Sequence, residues 1–346
     1  MLMAAAASAG DDWRHPRGNL ANTGVVKNKG PKKAPKVKWK REENGSVGTG
    51  AALAGGLLVY PVGDRGVICR SATIGREVWV KAVKQQVVSW PSISGEFTYF
   101  GGQDHVHYRV NMSTANEPLS QEAKAGIVAD STATDTHYFA GSTDGVFLAV
   151  GTDDGKLRWR KDVGEVRHGA AVDKRRAFVV TIAGVVYAFD LKRGKEVWKL
   201  DTKTKPIAAP MLSKTEVIVV FKDRVQRIAL KKGTLGISHD TPEIAGAPVL
   251  DKTLLHYATN AGEIVTLDFK SGKETGRTKV AEGGVTTPLI LARKILYGAA
   301  GSTLFAFDPK SRKVLWTYKN ENVFSPPIIG GGAVYVGAGN VFYCLK

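Results

Sequence analysis

Few residues of this chain have the type and spacing to do chemistry, and they are scattered over its 346 residues. His105 and His107 alternate in a stretch of strand character, so both imidazoles could leave one face and share a metal ion. No third ligand stands near them, and His107 aligns with the apolar Phe147 and Val186 of later segments, which favours a packed histidine. Trp90, Asp130 and His168 each stand just ahead of or beside the start of an apolar run. If those runs converge, an aromatic ring, a carboxylate and an imidazole would meet at one mouth of a channel and could hold a ligand. The bland alternative is that converging strands simply carry small residues there, since the equivalent places hold Gly50, Gly169, Ala209 and Ala247. The sequence contains no HExxH, no GxSxG elbow and no P-loop. The stretch 151–156 resembles a phosphate loop only in composition and reads as a turn.

Charge is the other chemical signal. Lys plus Arg number 49 against 32 for Asp plus Glu, a formal balance of +17 that favours anionic partners or surfaces in a salt-sensitive way. Lys27, Lys29, Lys32, Lys33, Lys36, Lys38, Lys40 and Arg41 form a run without an acid, yet setting it aside still leaves +9. Such a run is either a solvated leader or an anchor for phosphate-rich partners, acidic polymers or membrane head groups. No recognition helix or aromatic platform accompanies the charge, so sequence-specific nucleic-acid binding is not expected. The longest weakly polar stretch is Gly-interrupted and too short to cross a bilayer, so no membrane span is expected. The start, MLMAAAASAG, carries the small-residue pattern Ala7, Ser8, Ala9 and reads either as a trimmed export signal or as a plain tail.

The elements that must position these residues are set by tryptophan. Trp39, Trp79, Trp159, Trp198 and Trp316 lie on a ruler of about 40 residues, with Leu119, Ile237 and Gly276 in the remaining slots. A second register keeps step with it: Ala51, Pro91, Ser131, Ala170, Pro210, Pro248, Pro288 and Pro327 each open a short apolar strand. Between them run β-branched and aromatic segments separated by Gly, Asp, Asn and Lys turns, the pattern of short antiparallel strands. The expected fold is all-β: an eight-bladed β-propeller of four-stranded antiparallel blades. The last repeat stops short of its tryptophan slot while Trp39 has no complete unit before it. The strand around Trp39 is therefore expected to complete the C-terminal sheet and close the ring. The chain divides into a leader and basic arm, 1–35, and one propeller, 36–346.

The segment from Ala188 through Asp190 and Gly194 to Trp198 resembles the tryptophan-docking motif AxDxxTGxxxW of quinoprotein-type propeller repeats, with Arg193 in place of the Thr. Parts of it recur at Ala306, Asp308 and Trp316, at Ala149, Gly155 and Trp159, at Asp268 and Gly272, and at Gly75 and Trp79. The stretch DWRHPRGNLANTG also looks like the lead-in of such propellers. In the motif the indole lies flat on the next blade's backbone, an arrangement expected to require the small residue at the Ala slot. Cys69 and Cys344 fall in that slot and read as small packing residues, not reactive thiols. The same repeat serves dehydrogenases that carry pyrroloquinoline quinone (PQQ) and cofactor-free scaffolds similar to the propeller lipoprotein of the outer-membrane β-barrel assembly machinery. Compact units without inserts, and two cysteines far apart, make this chain look like the scaffolds. That resemblance implies a periplasmic or otherwise extracytoplasmic, non-enzymatic protein-binding role with no cofactor and no metal. It departs from the assembly subunit in having no Cys ahead of Cys69 for a lipid anchor. The alternatives are a binder of anionic polymer or membrane surface, and a PQQ-dependent alcohol or sugar dehydrogenase.

Overall fold

The computed structural model describes residues 12–117 and 119–346; the side chains of residue 64 and of 119–122 fall outside the description, as do Ala7, Ser8 and Ala9. Among the described residues the strands form eight sheets, and a single 3-10 turn, Gly63–Arg65, is the only helical element. Seven blades follow one another along the chain at 52–81, 92–122, 132–162, 171–201, 211–240, 249–279 and 290–319. Each runs antiparallel from the inside outward, and each inner strand begins one or two residues after its marker in the 51-to-327 register. The eighth blade joins the ends: Val37–Glu42 pairs antiparallel with Val341–Leu345, with Trp39 opposite Cys344. Beyond it, the backbones of Lys36 and Lys346 exchange both hydrogen bonds, at 2.9 and 2.8 Å. The ring is closed by head and tail, as the truncated last repeat requires.

Burial follows from the pattern. The three inner strands of a blade are apolar on both faces because blades stack on either side, as in Arg176–Val180, where Ala177, Phe178, Val179 and Val180 are all buried. The outer strand has solvent along one edge and keeps a single buried residue, the tryptophan, as in Glu196–Asp201.

The docking motif works somewhat differently from expectation. Ala188 does not lie beneath an indole of the preceding blade; it pairs directly with Trp198 across its own blade. What must be small on the neighbouring blade is the turn residue at positive φ, glycine at 75, 194 and 233 and Ala115, φ +62°, in the turn that receives Trp79. A Cβ on Gly194 would lie 2.5 Å from the Trp159 ring, and one on Gly233 2.5 Å from that of Trp198. Each indole then donates its N–H to a carbonyl of that turn: Trp159 to Leu191 at 2.8 Å, Trp198 to Leu230 at 3.1 Å, Trp79 to Met112 at 2.8 Å and Trp39 to Ala72 at 3.0 Å. Asp190 shapes its turn by accepting the Arg193 N–H at 2.9 Å. The eighth blade has no such turn, because its outer strand comes from the other end of the chain. There Pro31 supplies the carbonyl for Trp316, at 2.9 Å. Cys69 and Cys344 face Trp79 and Trp39 in the Ala slot, buried, and burial raises their thiols to about 12 and about 11.

Residues 12–35, expected as a leader ahead of the disc, pack against it. Trp13 is wholly buried and exchanges two backbone bonds with Leu53 of the first blade. From there the carbonyls of Arg14, Leu20, Ala21, Thr23 and Gly24 accept the N–H of Ile93, Val172, Leu212, Leu250 and Leu291, equivalent residues of the second, fourth, fifth, sixth and seventh inner strands. The Asn28 amide completes the circuit on the Ile329 carbonyl of the eighth, at 2.6 Å. Val25–Val26 adds a parallel strand to the seventh blade. Gly24 has φ +74°, and a Cβ there would meet the Arg17 guanidinium at 2.6 Å, so the lead-in needs glycine at that turn.

At the seam between the eighth and first blades, Glu43 is buried against Arg70 at 2.9 Å and accepts the Tyr60 hydroxyl at 2.6 Å. The Arg41 guanidinium caps the Ile74 and Gly75 carbonyls of the first blade at 2.9 and 3.0 Å.

Candidate functional site

Trp90, Asp130 and His168 do meet. They line one axial funnel of about 330 Å³ whose other walls are mostly small or apolar, among them Gly50, Ala209 and Ala247. The convergence follows from the fold, because equivalent residues at the start of each inner strand gather round the axis. Trp90 is fixed from both sides. Its ring covers Gly50, where a Cβ would lie 2.1 Å from the indole. Its Nε1–H donates to the Ala51 carbonyl at 2.7 Å, and its backbone N–H donates to the Asp130 carboxylate at 3.0 Å.

The lead-in supplies a residue that sequence reasoning missed. Arg17 lines the funnel and gives its guanidinium to the Pro248 and Leu289 carbonyls at 2.5 and 2.9 Å. Burial lowers its pKa to about 10 against the pull of Asp130, so it stays cationic at neutral pH. Burial raises Asp130 to about 6, opposed by the Trp90 N–H and by Arg17. Burial lowers His168 to about 4, so its imidazole is neutral at pH 7. The sequence carried no signal for Arg17 itself; the structure turns its lead-in onto the disc through positive φ at Gly18, Asn22 and Gly24.

The two histidines of the hypothetical metal site separate. His105 sits in a turn with φ +69°, outside the strand Val106–Asn111, so the alternation that would aim both rings at one ion is broken. His107 is buried, lowered to about 3 by burial, with Nδ1 3.4 Å from the Tyr138 hydroxyl, which is the packed alternative. Among the described residues no group of three or more His, Cys, Asp or Glu comes together as metal ligands. Nor is any helix there long and apolar enough to cross a membrane.

The basic run splits in two. Its seven lysines are exposed, whereas Arg41 is spent on the seam described above. Lys29, Lys32, Lys33 and Lys36 border an open groove of about 780 Å³, joined by Lys346 from the last strand. The backbone beneath them is pinned: Pro31 accepts the Tyr297 hydroxyl at 3.1 Å, and Lys27 accepts Arg293 at 3.0 Å. The cations thus stand on a fixed rim, not on a free leader.

A closed eight-bladed ring with indole docking and a small-walled funnel defines the quinoprotein-type propeller class. Within it, the profile of the family described as "Outer membrane protein assembly factor BamB" matches residues 25–124, 142–241 and 222–343, and the chain belongs to that family. A curated relative of that description from Yersinia pestis is 21% identical over 251 residues, 66% of this chain and 63% of the relative's length. Among solved structures, BamB from Moraxella catarrhalis superposes with a TM-score of 0.62 at 16% identity, covering 72% of this chain and 81% of that one. The computationally designed Ika8 protein gives 0.78 at 16% identity, over 88% of this chain and 97% of that one. A europium-containing methanol dehydrogenase gives 0.81 at 11% identity, over 96% of this chain and 91% of that one. These likenesses establish the fold and leave the funnel's chemistry to be judged on its own residues. A quinone held with a metal ion needs several oxygen donors around the cation, and Asp130 is the one carboxylate among the funnel's described lining residues. The donor set does not fit such a group.

Proposed function

We propose that the protein is a non-enzymatic scaffold of bacterial cell-envelope assembly, working outside the cytoplasm and holding partner proteins on the surface of its disc. The observation that carries this reading is the funnel itself. It is walled by small residues, its imidazole is neutral, and its carboxylate and arginine are engaged with backbone. The one side-chain hydroxyl among its described lining residues, that of Thr49, has no hydrogen-bond partner to activate it, so nucleophile, base and acid do not converge there on a shared reacting position. Family membership supports the assembly role, and the outer strands offer a means of attachment. Leu235–Asp240 of the fifth blade is an edge strand with Leu235 61% and Ile237 57% exposed, suited to pairing with a partner's extended segment. The test is affinity purification from the envelope fraction of the native source after crosslinking. Enrichment of outer-membrane β-barrel assembly components is expected, and repeated recovery of none of them would overturn the proposal.

A second reading is favoured by one observation, the rim of five lysines around the groove at Pro31 and Pro35. It would bind an acidic polymer or an anionic head-group surface through charge alone, and retention on heparin that falls steeply with salt is its signature.

A further inference from the structure

We propose that the slot between the sixth and seventh blades binds a planar aromatic carboxylate with the dimensions of an indole acid. Here the docking motif is exchanged between neighbours. Gly276 stands where Trp198 and Trp316 stand in their blades, and Arg312 stands where the turn glycine Gly194 stands in its own, with φ +56°. The flat group that crosses the junction therefore comes from the other side. The Arg312 guanidinium lies against Gly276, where a Cβ would be 2.9 Å from its Nε, and it donates to the Thr275 carbonyl.

A guanidinium fills less space than an indole, and a cavity of about 450 Å³ remains, within the range of small-molecule sites. Its shape is inherited from the indole slots of the other junctions, so it suits a flat ring. Ile264 and Phe307 are buried in its wall, and Leu291 lies beside them. Pro309 also lines it, and occupies the turn position whose carbonyl accepts the indole N–H at the other junctions. His256 and Thr266 form a polar floor, joined at 2.9 Å. Lys294, Lys310 and Arg312 border the opening against the single carboxylate of Asp251. An aromatic ring in the slot would stack under the guanidinium, its ring N–H would reach the Pro309 carbonyl, and a carboxylate would meet the lysines at the rim. The site shares no lining residue with the funnel or the lysine groove, and it stands or falls independently of the scaffold reading.

The probe is indole-3-acetate, titrated into the full chain by calorimetry and followed by saturation-transfer NMR, with neutral indole and acetate as separate controls. One-to-one binding of the acid is expected, at least tenfold tighter than indole and with no saturable binding of acetate. The exposed pair Lys294→Glu and Lys310→Glu should weaken the acid at least tenfold while leaving indole unchanged, and Gly276→Trp should remove binding by filling the slot. Should Gly276→Trp fail to fold, the charge-reversal pair alone decides. Absence of saturable binding at low-millimolar acid, equal affinity for indole, or binding that survives charge reversal would each overturn the proposal.

Discussion

Replacing Gly194 by Ala separates the cost of backbone strain from the cost of undocking an indole. The residue has φ +62°, so any L side chain there is strained by about 1–2 kcal/mol. Its new methyl would also lie 2.5 Å from the Trp159 ring, which is held on its far side by its own blade and by the Leu191 carbonyl at 2.8 Å. The ring must shift, incurring roughly 1–3 kcal/mol of overpacking, while its hydrogen bond can survive, since Trp79 keeps its own at 2.8 Å over Ala115, φ +62°. The sum is about 2–5 kcal/mol. Gly301→Ala is the control: its φ is +54°, and a Cβ there has nothing within 4 Å, so it carries backbone strain alone. Urea unfolding of both variants, followed by tryptophan fluorescence and far-UV circular dichroism, should place Gly194→Ala about 1–3 kcal/mol below Gly301→Ala, the strain common to both cancelling. Equal midpoints would refute the claim that the turn glycine is a seat for the neighbouring ring.

Glu43→Gln removes the closer carboxylate from the buried Arg70 guanidinium at the ring seam, leaving it Glu77 at 3.3 Å, and should cost about 1–3 kcal/mol, visible as a fall in melting temperature, whereas a surface carboxylate change should not. Removing residues 1–42 deletes both the lead-in and the closing strand; a large drop in melting temperature is expected, and an unchanged one would count against ring closure. Buried His107 and His256 are lowered to about 3 and about 4, below the ordinary 6.5, so the unfolded chain binds protons that the fold refuses. At about 1.4 kcal/mol per pKa unit, protonating either within the fold costs about 3 kcal/mol or more. Stability should therefore fall as pH drops from about 6.5 toward 4, as read by urea midpoints across that window. Asp130, raised to about 6, works the other way, its contribution being complete below its ordinary 3.8 and lost as pH rises through 6. Asp130→Asn should accordingly steepen the acid loss. Titration with PQQ and calcium should leave the absorbance spectrum unchanged; a saturable shift would reopen the dehydrogenase reading.

Blade number, strand polarity and ring closure were legible because each rests on a period, and a period survives the loss of single residues such as those at Leu119, Ile237 and Gly276. The seat of the indole was misplaced by one element. The Ala slot and the turn glycine are both small and both belong to the same motif, and spacing alone does not say which of them faces the neighbour. The convergence of Trp90, Asp130 and His168 was readable from register, since whatever precedes an inner strand must approach the axis. Arg17 was not, because the lead-in belongs to no repeat and its partners are backbone carbonyls more than 200 residues away in sequence. Glu43 with Arg70, and Arg312 with Gly276, are pairings across blade junctions of the same kind. The second was nonetheless visible as a double departure from the motif, a glycine where the ring belongs and a long side chain where the glycine belongs.

The lead-in has a consequence for the evolution of the chain. Open repeat arrays lengthen or shorten freely because every unit answers only to its neighbours. Here one short strip of chain, through its backbone and the Asn28 amide, touches seven of the eight blades in fixed order, from Leu53 round to Ile329. A duplicated or missing blade would throw every later contact out of phase. The strip thus acts as a gauge of copy number, penalising any ring of the wrong size even where neighbouring blades would still stack.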